Sequence, residues 1–373
     1  MKYFFLAAMV GITLICPDRL LPCRAAEPDK SKPQRPQEPQ RPFPYEEEDV
    51  HFDNPRAKVK LAGTLTHPKG VGPFPAVLLV AGSGPIERDE FVAKHRVFLL
   101  VSDYLTRHGL AVLRYDKRGV AKSTGDYKQA TTLDFADDAL AGMEFLKGRK
   151  EIDPKRIGAI GHSEGGAIMP TLAVSWPDTA FVVMLAGPAT TGEEICLRQA
   201  YLSAKADGDT EEELAMQDEL LKRWIDLSKR GTDGDEMDRQ LRPLVEAAFK
   251  KNGKTDKKLI DALLEDFRST WKRFFLTYSC VPVLEKVQCP LLALNGGKDL
   301  QVPPKENLRG IARALSVSGN TDFVVREMPG LNHLFQHCRT GAENEYSKIE
   351  ETMSPEVLQI VSDWILQHVN PAP

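Results

Sequence analysis

A short apolar run at residues 157–161 stops at Gly161-His162-Ser163-Glu164-Gly165-Gly166, and a helical pattern begins at once. A strand that turns straight into a helix through small residues leaves one side chain, here Ser163, exposed above the strand's carboxyl end. Few architectures supply that turn, and the rest of the chain narrows the choice. Apolar runs at 59–66, 76–80, 111–115, 157–161, 181–185, 291–295 and 323–328 read as strands. Residues 92–108, 133–147, 164–175 and 355–369 carry apolar side chains at helical spacing. Near-continuous apolar strands alternating with helices predict an α/β fold, a mostly parallel sheet covered by helices on both faces.

The alternation breaks over 189–287, where charged helical patterns follow one another with Gly231 and Gly253 as stops and no strand-like run. The core is therefore expected at 45–188 and 288–373, with 189–287 as an inserted helical domain, too large for a loop. Within it the helix near 259–267 is expected to bury Leu259, Leu263 and Leu264 and to expose Lys257, Lys258 and Asp266. At the start of the chain, Lys2 precedes an apolar run at 3–16 that is too short to span a bilayer but suits a secretory signal peptide. Residues 1–26 are read as that leader, cut near Ala25 or Ala26, so the protein is expected to be exported, periplasmic or extracellular, with no membrane span after processing. Residues 27–44, rich in Pro, Gln and charge, read as an extended linker.

Cys196, Cys280, Cys289 and Cys338 remain after cleavage and permit up to two disulfides, in pairings that spacing does not select. No CxxC or HExxH occurs, and His333 and His337 lack a third ligand nearby, so neither metal nor cofactor is expected. With 49 Lys and Arg against 53 Asp and Glu and no basic block, nucleic acid is not an expected partner.

A serine hydroxyl becomes a useful nucleophile only beside a base, and the base needs an acid to hold its tautomer. In a sheet of this kind both lie downstream, acid first and histidine last. Asp299, in LNGGKDLQVP after the 291–295 strand, is placed as the acid. His333, in MPGLNHLF after the last strand, is placed as the base, with His337 as its competitor one helical turn further on. The backbone N–H groups of Glu164, at the head of the helix, and of Ser83, in the AGSGP loop after the 76–80 strand, are the expected oxyanion donors.

The segments GSGPIERDE, LRYDKRGVAKSTGDY, IGHSEGG, LALNGGKDLQVPPKENL and MPGLNHLFQ, in that order, resemble the α/β-hydrolase superfamily. They are most similar to a bacterial group of exported esterases related to serine aminopeptidases and acylaminoacyl peptidases, over residues 50–370. The resemblance implies an α/β-hydrolase fold, a triad of Ser163, Asp299 and His333, and a helical cap over the pocket. Ala121 stands in RGVAKS where the group usually has Gly. Arg88 and Asp89 are typical of the group and read as a structural salt bridge. The expected reaction is hydrolysis of a small carboxylic ester. The alternative is an aminopeptidase or acyl-peptidase acting on short peptides, with acidic cap residues such as Glu193 and Glu194 holding a substrate ammonium. A silent binding protein on the same fold is the reading from another class.

Overall fold

A computed structural model describes residues 34–251 and 256–370. The expected leader at 1–26 lies outside the described residues, as do 27–33 of the linker and Gly253. Strands β1 (Glu46–Asn54), β2 (Val59–His67) and β3 (Phe74–Val80) precede a small hairpin of β4 (Phe91–Val92) and β5 (His95–Arg96). They are followed by α1 (Val97–Arg107), β6 (Ala111–Tyr115), α2 (Thr132–Lys147), β7 (Ile152–His162), α3 (Glu164–Ser175) and β8 (Val182–Leu185). Eight strands form one sheet in the order β1-β2-β6-β3-β7-β8, continuing into β9 (Leu291–Gly296) and β10 (Phe323–Met328). Only β2 runs against its neighbours, antiparallel to β1 and to β6, and all pairs from β6 to β10 are parallel. A parallel sheet needs cover on both faces. One face packs Leu78, Ala159 and Met184 against α2 and α3, and the other packs Val77, Ile160 and Val183 against α1 and α12 (Pro355–Val369).

Between β8 and β9 the described residues form helices alone: α4 (Gly192–Asp207), α5 (Glu211–Lys229), α6 (Gly234–Lys251), α7 (Lys257–Phe267), α8 (Thr270–Thr277) and α9 (Val281–Leu284). Thr191 with Glu194, and Thr210 with Glu213, form reciprocal capping boxes that start α4 and α5. The helices enclose their own apolar cluster around Trp224, Phe267 and Leu241. Leu263 and Leu264 are buried as expected and Leu259 is half-buried, while Lys257 and Lys258 are exposed. Asp266 departs from expectation. It turns inward to pair with Lys272 at 2.5 Å, because α8 brings that ammonium under the end of α7. No helix among the described residues is long and apolar enough to cross a membrane.

Further departures lie at the edge of the sheet, in the helices and at the cysteines. β1 escapes the alternation rule because its first residues are acidic and partnered by cations: Arg149 holds Glu48 at 2.6 Å, and Arg88 holds Asp49 at 3.1 Å. Helices α10 (Pro304–Ser318) and α11 (Glu343–Tyr346) are not among the expected elements, and the helix expected from residue 92 starts at Val97 because the hairpin occupies 91–96. The four cysteines are free thiols, so neither permitted disulfide forms; Cys280 instead points its thiol at the Pro188 carbonyl.

The described part of the expected linker, residues 34–44, is not a free spacer. Arg35 donates to the carbonyls of Ser347 and Ile349, each at 2.9 Å. The Gln37 amide donates to Met353 O at 2.8 Å and accepts from Thr352 N and Met353 N. Composition favours an open chain here, but amide and guanidinium groups satisfied by one loop of the core outweigh it. Gln37→Ala strands three hydrogen-bonding groups of that loop and is expected to lower stability by about 1–2 kcal/mol in urea unfolding. An unchanged midpoint would show the strap to contribute nothing.

Candidate active site

Ser163 stands between the end of β7 and the start of α3 with φ 55° and ψ −117°, a conformation that L residues rarely adopt. Its N–H is tied to Leu185 O at 2.8 Å. The turn closes because Gly161 and Gly165 have no side chains. A Cβ on Gly161 would run into the Gly165 carbonyl, and a Cβ on Gly165 into the Val80 carbonyl. The serine therefore sits at the carboxyl edge of the sheet, over a cavity of about 880 Å³ that Ser83, Glu164 and His333 also line.

Asp299 and His333 come from the loops after β9 and β10 and are almost wholly buried. His333 Nδ1 lies 2.7 Å from Asp299 Oδ2. The other carboxylate oxygen accepts the N–H groups of Gln301 at 2.8 Å and Val302 at 2.9 Å. A carboxylate held by those donors fixes the proton on Nδ1 and leaves the Nε2 lone pair of the neutral ring for the cavity. His337, the competing base, is exposed and paired with Glu351 at 3.0 Å, away from the cavity.

The Ser83 loop is held from two sides. Gly82 packs against the serine so closely that a Cβ there would lie 3.2 Å from Ser163 Cβ. Its N–H goes to Glu90 Oε1 at 2.9 Å, and its carbonyl accepts from Lys117 Nζ at 2.7 Å. With the Gly82 amide occupied, the next amide along is that of Ser83, which lines the cavity. Across the site, the Glu164 N–H opens α3, where the helix dipole favours negative charge.

The Glu164 side chain was not singled out from sequence, yet it organises the floor. Its buried carboxylate meets Lys117 at 3.1 Å, accepts from Thr132 Oγ1 at 2.8 Å and from Trp271 Nε1 of α8 at 2.6 Å. Lys117 in turn lies 4.2 Å over the Phe135 ring. Lys117, Glu90 and His162 all stood in motifs already quoted, but nothing in a one-dimensional pattern says that they meet. From the helical insertion, Ile195, Trp224, Asp266, Trp271 and Phe275 line the same cavity. Burial pushes the Asp266 carboxyl up to about 6 against the pull of Lys272.

The remaining expectations fall outside the cavity. Arg88 pairs with Asp116 at 2.8 Å and Asp89 with Arg114 at 2.8 Å, so both are structural, though not partners of one another. Glu193 is bound to Lys229, and Glu194 caps α4. Ala121 has φ 46°, the left-handed region that explains why glycine is usual there.

A family model described as serine aminopeptidase, S33, matches residues 93–337. The chain is 28% identical over 294 residues to the esterase EstD of Thermotoga maritima, covering 79% of this chain and 61% of that relative. It thus spans less than two thirds of that relative's length. An esterase of Pyrococcus furiosus superposes with a TM-score of 0.53 at 17% identity, over 87% of this chain and 91% of that one. A proline iminopeptidase of Mycobacterium smegmatis superposes at 0.51 and 16%, over 86% and 99%. At such identities the likeness speaks for the fold alone, which is the α/β-hydrolase fold.

Removing one partner of a buried ion pair leaves the other charge uncompensated. Lys117→Met, which keeps the stem but not the ammonium, is expected to cost about 3 kcal/mol or more in denaturant unfolding. A loss within the range of an exposed pair would show that Glu164 does not depend on it.

Proposed function

Because the chain belongs to the serine aminopeptidase S33 family within the α/β-hydrolase superfamily, we propose that it is a serine hydrolase cleaving neutral carboxylic esters through an acyl-enzyme on Ser163. The observation that carries this reading is the 2.7 Å bond from His333 to Asp299, with the ring opening on the cavity that also holds Ser163. His333 Nε2 takes the hydroxyl proton as Ser163 Oγ attacks the ester carbonyl. The Ser83 and Glu164 N–H groups receive the developing oxyanion. His333 then passes the proton to the leaving alcohol, and Asp299 stays ionised throughout to stabilise the imidazolium. Water, activated by the same histidine, releases the acid.

Charge pairing in the cavity favours an ester over an aminopeptidase substrate. Holding a substrate ammonium needs a carboxylate that is not already neutralised. Glu90 faces His162, Glu164 faces Lys117, Glu265 faces Lys128 and Asp266 faces Lys272. Asp126 lies exposed at the rim, in water, where a carboxylate holds an ammonium weakly. Residues 189–287 act in this reading as a cap that sets substrate size through Trp224, Trp271 and Phe275, and residues 1–26 direct export.

Ser163→Ala is expected to abolish both turnover and covalent labelling by an organophosphonate, a loss of several orders of magnitude in rate. Labelling at the wild-type rate would move the nucleophile elsewhere. Asp299→Asn should stay folded and lose roughly 10⁴ in rate by favouring the wrong tautomer. Aryl esters should be cleaved far faster than aminoacyl-arylamides; the reverse preference would establish the aminopeptidase reading.

A further inference from the structure

Glu90 and His162 are buried side by side under the serine, 1% and 4% exposed, and take no part in the steps above. His162 Nδ1 lies 2.9 Å from Glu90 Oε1, and His162 Nε2 lies 3.0 Å from the backbone carbonyl of His333. A carbonyl oxygen only accepts, so Nε2 carries a proton. Glu90 Oε1 already accepts the Gly82 N–H and Oε2 is buried without a hydrogen-bond partner, so an ionised Glu90 faces Nδ1 as an acceptor too. Both ring nitrogens are then protonated. The ring is an imidazolium and Glu90 is its counter-ion.

Each end of this pair grips a loop that the reaction needs. Glu90 fixes the Gly82 amide and with it the orientation of the next peptide, which carries the Ser83 N–H. His162 fixes the His333 backbone from beneath, with the two rings 4.8 Å apart. Resting on the Ser163 reading above, we infer that the Glu90–His162 ion pair is a positioning unit that sets the oxyanion loop and the base loop against the serine in one piece. The remaining charges around it are already committed: Asp299 to the His333 ring, and Lys117 to Glu164 on the far side of Gly82. Burial alone would lower the His162 imidazole, but the Glu90 carboxylate, the hydrogen bonds and the Asp299 charge outweigh it and raise it above the ordinary value.

The test reads the ring directly and then the rate. With histidines labelled in the ring nitrogens, NMR of the wild-type protein should show His162 protonated at both nitrogens well above the pH where an ordinary histidine titrates. A single neutral tautomer there would overturn the inference, and this measurement needs no variant. Glu90→Gln should turn His162 into a neutral tautomer and lower kcat by roughly 10²-fold, as displacement of reacting groups does, with KM little changed. Full kcat in a folded Glu90→Gln enzyme would overturn it. Failure of the variant to fold leaves the wild-type ring signature to decide. Organophosphonate labelling of wild-type Ser163 separates this inference from its premise: an unlabelled, inactive wild type sinks the serine assignment, whatever the state of His162.

Discussion

The backbones of β7 and α3 approach so closely at Gly161 and Gly165 that any side chain at either position would occupy a neighbouring carbonyl. That contact forces the intervening residue into an otherwise unfavourable conformation and lifts Ser163 out of the strand. The strain is local, and its compensation is not. The serine amide is secured by β8, the sheet behind it is buried on both faces, and the next amide along begins a helix. A turn that would not hold in isolation is over-determined by the layers it joins.

Around this turn the protein uses charge where a core would normally use hydrocarbon. Lys117 with Glu164, and His162 with Glu90, are buried pairs on opposite sides of Gly82. Buried pairs contribute little net stability compared with apolar packing of equal volume. What they add here is direction, since each carboxylate and cation is also bonded to a loop backbone or to Trp271 of the insertion. The helical insertion is thereby connected to the residue that follows the nucleophile, not merely stacked above it.

Much of this was legible from one dimension. Alternating apolar runs marked the core strands, and β6, β10, α3 and α12 begin and end where the pattern said. Ser163, Asp299 and His333 were placed by the strands they follow, and the structure joins Asp299 to His333, which lines the same cavity as Ser163. What escaped is what depends on tertiary partners. β1 does not read as a strand until its cations are seen, Asp266 looks solvent-facing until Lys272 arrives from the next helix, and residues 34–44 look unstructured until the loop at 347–353 receives them. Glu90 and His162 were in view as letters in two motifs, 72 residues apart, and only the fold makes them one object.

None of the four thiols is joined to another. Nothing that holds the described residues together therefore requires an oxidant. The described fold can therefore be acquired in a reducing compartment as well as in an oxidising one, which adds no covalent brace to it.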